Sequence, residues 1–244
     1  MEKDLLEVER VHLSNVLDEL DVEQTEKLDQ SFGIVYTYDA LGIAGENRIP
    51  FEDVKRLLHN KALIGYSERE QKEILNHYKA FMFVRDDAEA HHALDEEKIK
   101  DIHELVVDGI MQGGVYRNVN VQFYNQTHQP PDYVKVYDRM NKHVTKIRDF
   151  QGSVIEKAVF AHAGIAKIHP FLDGNGRVAM LVMNHVLIDN GYLPLSIPLE
   201  QKETYRTHLE TFKVEKDIAP LVGFIKSLLV SRYEDVIKSL EVSA

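Results

Sequence analysis

Nine consecutive residues, His169-Pro170-Phe171-Leu172-Asp173-Gly174-Asn175-Gly176-Arg177, bring together a base, a hard carboxylate, two glycines and a fixed cation. An imidazole titrates near neutrality, so His169 can rest unprotonated and accept a proton during a reaction. Asp173 offers the type of oxygen ligand that Mg²⁺ takes, usually one or two protein carboxylates completed by phosphate and water. Gly174 and Gly176 accept backbone conformations that let successive N–H groups converge on an anion, most effectively where a helix begins. Arg177 adds a planar fork of donors that matches two phosphate oxygens. The run is not a Walker loop, because no Gly-Lys-Ser/Thr follows. Nor is it a dinucleotide fingerprint, because no strand pattern leads into it.

Such a loop needs rigid neighbours. Upstream, Val154, Ile155, Ala158, Val159, His162 and Ile165 recur at helical spacing. Downstream, the chain from Arg177 to Ile188 is apolar all round, as in a buried helix, and stops at Asn190-Gly191. The run therefore joins two core helices. Val119 to Phe123 alternates apolar and polar residues, and a turn-prone stretch from Asn125 to Pro131 separates it from Tyr133-Val134-Lys135-Val136. This predicts a small β-hairpin, a flap able to pair with an extended peptide. Helices are predicted from Pro50 to about His59, from Ser67 to about Asp87, and from Asp95 to Gly113-Gly114, after an acidic amphipathic start over residues 1–30 that leads through Ser31-Phe32-Gly33 into a second stretch. The fold class is all-α, with that hairpin as its β element.

The composition, 44% hydrophobic and 28% charged, is that of a globular chain. The absence of cysteine excludes disulfides and thiol catalysis. A net charge of −11 argues against nonspecific nucleic-acid binding. With neither a signal-peptide pattern nor an apolar run of spanning length, the expectation is a cytoplasmic protein without a membrane segment. Of the other histidines, His103 and His162 lie on apolar helical faces and are expected to be packed, hydrogen-bonded residues.

The nine-residue run resembles the signature of Fic-domain proteins, His-Pro-Phe-x-Asp/Glu-Gly-Asn-Gly-Arg, at every specified position. The resemblance extends to Gly114-Val115-Tyr116-Arg117, to His128-Gln129-Pro130-Pro131, and to His162, Ile168, Asn184, Gly191 and Tyr205. It covers roughly residues 96–226. It implies a Fic-fold helical bundle divided into an N-terminal helical region (1–95), a catalytic core (96–226) and a C-terminal helix (227–244). The implied activity is Mg²⁺-dependent transfer of AMP from ATP, as co-substrate, to a Ser, Thr or Tyr hydroxyl of a target protein or of the chain itself. Carried over, His169 is the general base and Asp173 the metal ligand. Gly174, Asn175, Gly176 and Arg177 hold the phosphates, and Gln126, Thr127 and His128 belong to the flap that docks the target. Transfer of another nucleotide, phosphate or phosphocholine, or a non-catalytic nucleotide-binding module, are the alternatives. Self-association stays open.

Two departures stand out. Many Fic proteins carry a Ser/Thr-x-x-x-Glu segment whose Glu blocks productive placement of the γ-phosphate. The corresponding stretch here runs from Ala40 to Asn47, with Ala40 and Ala44 at both diagnostic positions. Natural loss and engineered release both account for the pair, and the coincidence of two alanines favours the second. Met180 stands where regulated members have a second arginine, so contact with the γ-phosphate must come from elsewhere or be weaker.

Overall fold

A computed structural model of the chain describes residues 5–17, 22–45, 47–59, 61–124 and 126–241. Glu46, within the inhibitory-like stretch, and Asn125, in the expected turn, lie outside the described residues, as do parts of the acidic start and residues 242–244 of the region expected to be a C-terminal helix. Ten α-helices follow in order: α1 (Leu5–Leu17), α2 (Val22–Ala44), α3 (Phe51–Leu58), α4 (Glu68–Glu89), α5 (Glu96–Val106), α6 (Val136–Arg148), α7 (Val154–Ile168), α8 (Asn175–Asp189), α9 (Lys202–Glu215) and α10 (Ala219–Glu241). Short 3₁₀ turns precede α6 and α9. α10 runs unbroken across residues 226 and 227.

α8 is the centre of the bundle. Every residue from Arg177 to Leu187 is buried, and α2, α4, α5 and α7 pack around it. Full burial of each aliphatic side chain contributes on the order of 1.5–3 kcal/mol, which makes this axis the rigid element of the molecule. α4 and α7 begin with matching capping boxes, Ser67 with Glu70 and Ser153 with Glu156. Each satisfies two otherwise orphaned N–H groups.

Two expected boundaries moved. α2 continues through Ser31-Phe32-Gly33, because Gly33 brings that helix against α4: a Cβ there would lie 2.9 Å from the Tyr78 ring. α5 ends at Val106, ahead of Gly113, because Gly109 takes a left-handed conformation, φ 63°, just beyond it.

One ionic cluster ties three helices together behind the site. Asp87 of α4 is 6% exposed. Its Oδ1 accepts from Lys98 of α5 and from His92 Nδ1 at 2.9 Å, and its Oδ2 lies 3.0 Å from Nε2 of His185 of α8.

Candidate active site

The candidate catalytic turn is fastened at several points. α7 closes on His169, which is left-handed (φ 52°, ψ 61°) and donates its N–H to Ile165 O at 2.8 Å. Phe171 is fully buried and stacks on His103 with ring centroids 3.7 Å apart. Nδ1 of His103 accepts from Gly114 N and its Nε2 faces Asp173 O at 3.2 Å. That pattern fixes a neutral Nε2–H tautomer. Burial agrees with it, pushing the His103 pKa down to about 4. The side chain of Asn175 pairs both backbone groups of Phe171, at 2.8 Å each. Asn175 therefore shapes the loop with its side chain and leaves only its N–H for a ligand.

α8 starts immediately after Gly174, itself left-handed at φ 77°. The first intrahelical bond runs from Val178 N to Gly174 O, and among the described residues the N–H groups of Asn175, Gly176 and Arg177 have no acceptor. They form an uncapped, positively polarised helix end, the arrangement that favours a phosphate. Arg177 is 5% exposed. Its Nη2 donates to Asp173 Oδ1 at 3.2 Å, while its Nη1 is buried without a partner.

Asp173 is held from two sides. Its Oδ1 also accepts from Gly174 N at 2.6 Å, and its Oδ2 accepts from Arg69 Nη2 of α4 at 2.7 Å. Burial would raise its pKa. The Arg177 charge, the Gly174 N–H and the Arg69 charge outweigh burial and keep the carboxyl below the usual aspartate range. Arg69 also reaches Glu73. Met180 is buried in the core, 1% exposed, so Arg69 is the cation that stands across from Arg177.

Two cavities meet at His169. One, about 540 Å³, is lined by Asn47, Arg69, Glu73 and residues 172–177. The other, about 500 Å³, is lined by Phe123, Tyr124, Gln126, Thr127, Tyr205 and Lys213. His169, Gly176 and Ala44 border both. The His169 ring packs edge-on against Phe123 at 4.7 Å. Burial, then the charges of Lys213 and Arg117, push its pKa down to about 4. It is neutral at physiological pH, as a proton acceptor must be.

Residues 119–136 do not build the expected β-hairpin: among the described residues there is no strand. The two arms meet, but through side chains. Gln129 accepts from Phe123 N and donates to Phe123 O, both at 2.9 Å, and Asn120 accepts from Tyr133 N at 2.8 Å. Pro130 and Pro131 lack the donors a ladder needs. Asp132 caps the following turn by accepting from Val134 N, so the second expected strand starts a helix. Gln126 and Thr127 are exposed beside the second cavity. His128 turns away, its N–H donating to Glu210 and its Nε2 meeting Lys167 O.

Ala40 is 1% exposed within the core, whereas Ala44 is exposed at the end of α2. A Cβ on Gly176 would lie 2.7 Å from that of Ala44. The tip of α2 thus leans on the first turn of α8, where both cavities meet.

Three cations gain their place only in three dimensions. Arg117 is 3% exposed. Its N–H donates to Pro170 O, and its guanidinium donates to the carbonyls of His169, Val119 and Pro131. It joins the turn at His169 to both arms of the flap segment. Lys213 lies over the Phe123 ring, 5.3 Å from its centroid. Arg69 carries no local signal beyond its position in a helix's first turn.

Residues 93–187 match the Fic/DOC family, and the chain is a Fic-domain protein. Among curated relatives it is 30% identical over 196 residues to the protein adenylyltransferase Fic of Drosophila persimilis, which covers 78% of this chain and 38% of that protein. It is 27% identical over 201 residues to the protein adenylyltransferase fic-1 of Caenorhabditis briggsae, with the same coverage. The chain thus spans under two fifths of the length of these relatives. A Fic-domain-containing signaling protein from Bacteroides thetaiotaomicron shares the fold with a TM-score of 0.88 at 21% identity, over 98% of both chains. Fic-1 from C. elegans aligns with a TM-score of 0.84 at 22% identity, over 98% of this chain and 73% of that one. Among the described residues no helix is long and apolar enough to cross a membrane.

Proposed function

We propose that this chain is a protein adenylyltransferase, moving AMP from ATP to a hydroxyl of a target protein with release of pyrophosphate. The observation that carries this reading is the position of a half-buried His169 at the junction of a phosphate-type cradle and a second cavity lined by the flap segment. The target oxygen attacks the α-phosphorus, the bond to the β-bridging oxygen breaks, and a ring nitrogen of His169 takes the hydroxyl proton. The free N–H groups of Asn175, Gly176 and Arg177, with the Arg177 guanidinium, stabilise the phosphate charge, the main requirement of chemistry at phosphorus. Bound phosphates also bring negative charge beside His169, which raises its pKa towards the operating pH, where a base is most effective. The relatives' names support a nucleotidyltransferase. Incubation with ATP labelled at the α- or the γ-phosphate tests the reaction: α-label on protein is expected, and γ-label alone would indicate phosphate transfer instead.

Asp173 fits Mg²⁺. It is one ionised, half-buried carboxylate beside an anion cradle, and among the described residues no cluster of three or more acidic or histidine side chains forms a dedicated cage. When bound, Mg²⁺ would neutralise phosphate charge. Arg69, whose Nη2 donates to Asp173 Oδ2, is the cation on this side of the cradle that would meet the terminal phosphates Met180 cannot contact. Asp173→Asn is expected to abolish the Mg²⁺ dependence of ATP affinity in calorimetry. Retained metal dependence would move the ligand role elsewhere.

The double substitution Ala40→Ser with Ala44→Glu is expected to lower the initial rate of AMP transfer by roughly tenfold, equivalent to about 1.4 kcal/mol. The carboxylate would enter at the meeting point of the two cavities and repel the donor phosphates. Inhibition stays partial because Met180 offers the Glu no charge-assisted hydrogen bond, a loss of about 1.5–3 kcal/mol. Unchanged rates at subsaturating ATP would show that the tip of α2 does not regulate the site.

A further inference from the structure

A third cavity, about 610 Å³, is lined by the later residues of the flap segment, whereas Gln126 and Thr127 line the cavity beside His169. One wall is α6, which presents Arg139, Lys142 and Lys146, with Lys135 just before it, at helical spacing on one exposed face. The other wall is His128, Gln129 and Pro131. Phe160, Phe212, Gly164 and His143 also line it, with the His143 ring packed directly on Gly164: a Cβ there would be 2.0 Å from the imidazole.

The charge of this groove runs against that of the chain. Five cations, Lys135, Arg139, Lys142, Lys146 and Lys167, line it with one carboxylate, Asp138, in a protein of net charge −11. Asp138 is committed to Lys142 at 2.8 Å. Among the described residues Lys135, Arg139 and Lys146 have no ion pair. Burial, and then the charges of Lys216 and Arg139, hold Lys167 below the usual lysine range. Like-charged side chains around a concavity raise the local concentration of the opposite charge, and a chain that is acidic elsewhere repels acidic partners from its remaining surface.

We infer that this groove seats an acidic segment of the protein substrate, next to the segment that carries the modified hydroxyl. The wall from His128 to Pro131 continues the chain that lines the cavity beside His169, so one polypeptide can run along the flap segment and into the groove. Aliphatic or aromatic residues between the acids would meet Phe160 and Phe212. Only the word substrate rests on the adenylyltransfer reading; the groove's preference for acidic peptide does not.

Fluorescence anisotropy with a labelled oligoglutamate peptide tests this on the whole chain. The peptide is expected to bind with an affinity that falls as salt rises, whereas its oligoglutamine counterpart does not bind. The triple variant Arg139→Gln, Lys142→Gln, Lys146→Gln, confined to exposed side chains, should bind the peptide roughly tenfold more weakly, since each exposed pair contributes modestly. Equal affinity of variant and parent for oligoglutamate, or equal binding of oligoglutamine, would overturn the proposal. Tighter binding of an oligothymidylate of the same charge would overturn it too and mark a nucleic-acid surface. Absence of AMP transfer altogether would sink the adenylyltransfer reading and leave this binding result to be judged by itself.

Discussion

His169→Asn is expected to lower the rate of AMP transfer by roughly 10²–10⁴-fold, the usual contribution of a positioned general base, with ATP affinity nearly unchanged. The choice of Asn matters. The backbone at position 169 is left-handed, a conformation that asparagine tolerates better than most residues. The variant therefore removes the base without unsettling the turn that also presents Asp173 and the N–H cradle. His169→Ala removes the same base with a costlier backbone, so a larger loss for Ala than for Asn measures the conformational share. Initial rates with α-labelled ATP, set beside calorimetric ATP binding, separate the two. Near-parental labelling by the Asn variant would reject His169 as the proton acceptor.

The second large effect concerns stability. Asp87→Ala is expected to cost about 3–5 kcal/mol, because it leaves the Lys98 ammonium without its counter-charge and the buried His185 without its hydrogen-bond partner. For a chain of this size that corresponds to a fall of roughly 6–20 °C in Tm. Burial works to raise the Asp87 pKa, but hydrogen bonds from Lys98, His92 and His185, together with the Lys98 charge, outweigh burial and hold it below the aspartate value. A carboxylate whose folded pKa is depressed contributes stability that is present above its unfolded pKa and lost as pH falls through the folded one. The gap between parent and variant should therefore be full at neutral pH and close progressively below about pH 4. Calorimetric unfolding across that range gives both numbers. A constant gap down to acid pH would mean that the charge of Asp87 is not what holds the three helices.

Much of the frame could be read locally. The capping patterns at Ser67 and Ser153 mark the starts of α4 and α7, and the apolar run after Arg177 marks the buried α8. The nine-residue run could be seen to join two core helices, because both halves of that statement rest on neighbouring residues. What escaped was whatever depends on distant partners. The continuity of α2 through Gly33 is decided by Tyr78 and Phe81 on another helix. The ion pair of Arg69 with Asp173 spans 104 residues, and no periodicity announces it. The expected hairpin failed for a different reason. Alternation proposes a strand, but Gln129 takes the hydrogen bonds of Phe123 and Asp132 starts a helix, so side chains outcompete the ladder.

The three carbonyls held by Arg117 set the terms on which a target can enter. Charge-assisted hydrogen bonds contribute about 1.5–3 kcal/mol each. Releasing His169, Val119 and Pro131 together would then be an excursion taken by roughly one molecule in a thousand or fewer. A target that had to displace the base of the flap segment would see its apparent affinity reduced by that same factor, whereas one that reads Gln126 and Thr127 where they stand would see no such reduction. On the proposed adenylyltransfer reading, the anchoring arginine would act as a filter on the shape of acceptable targets, selecting for exposed, already extended segments before any chemistry at His169 began.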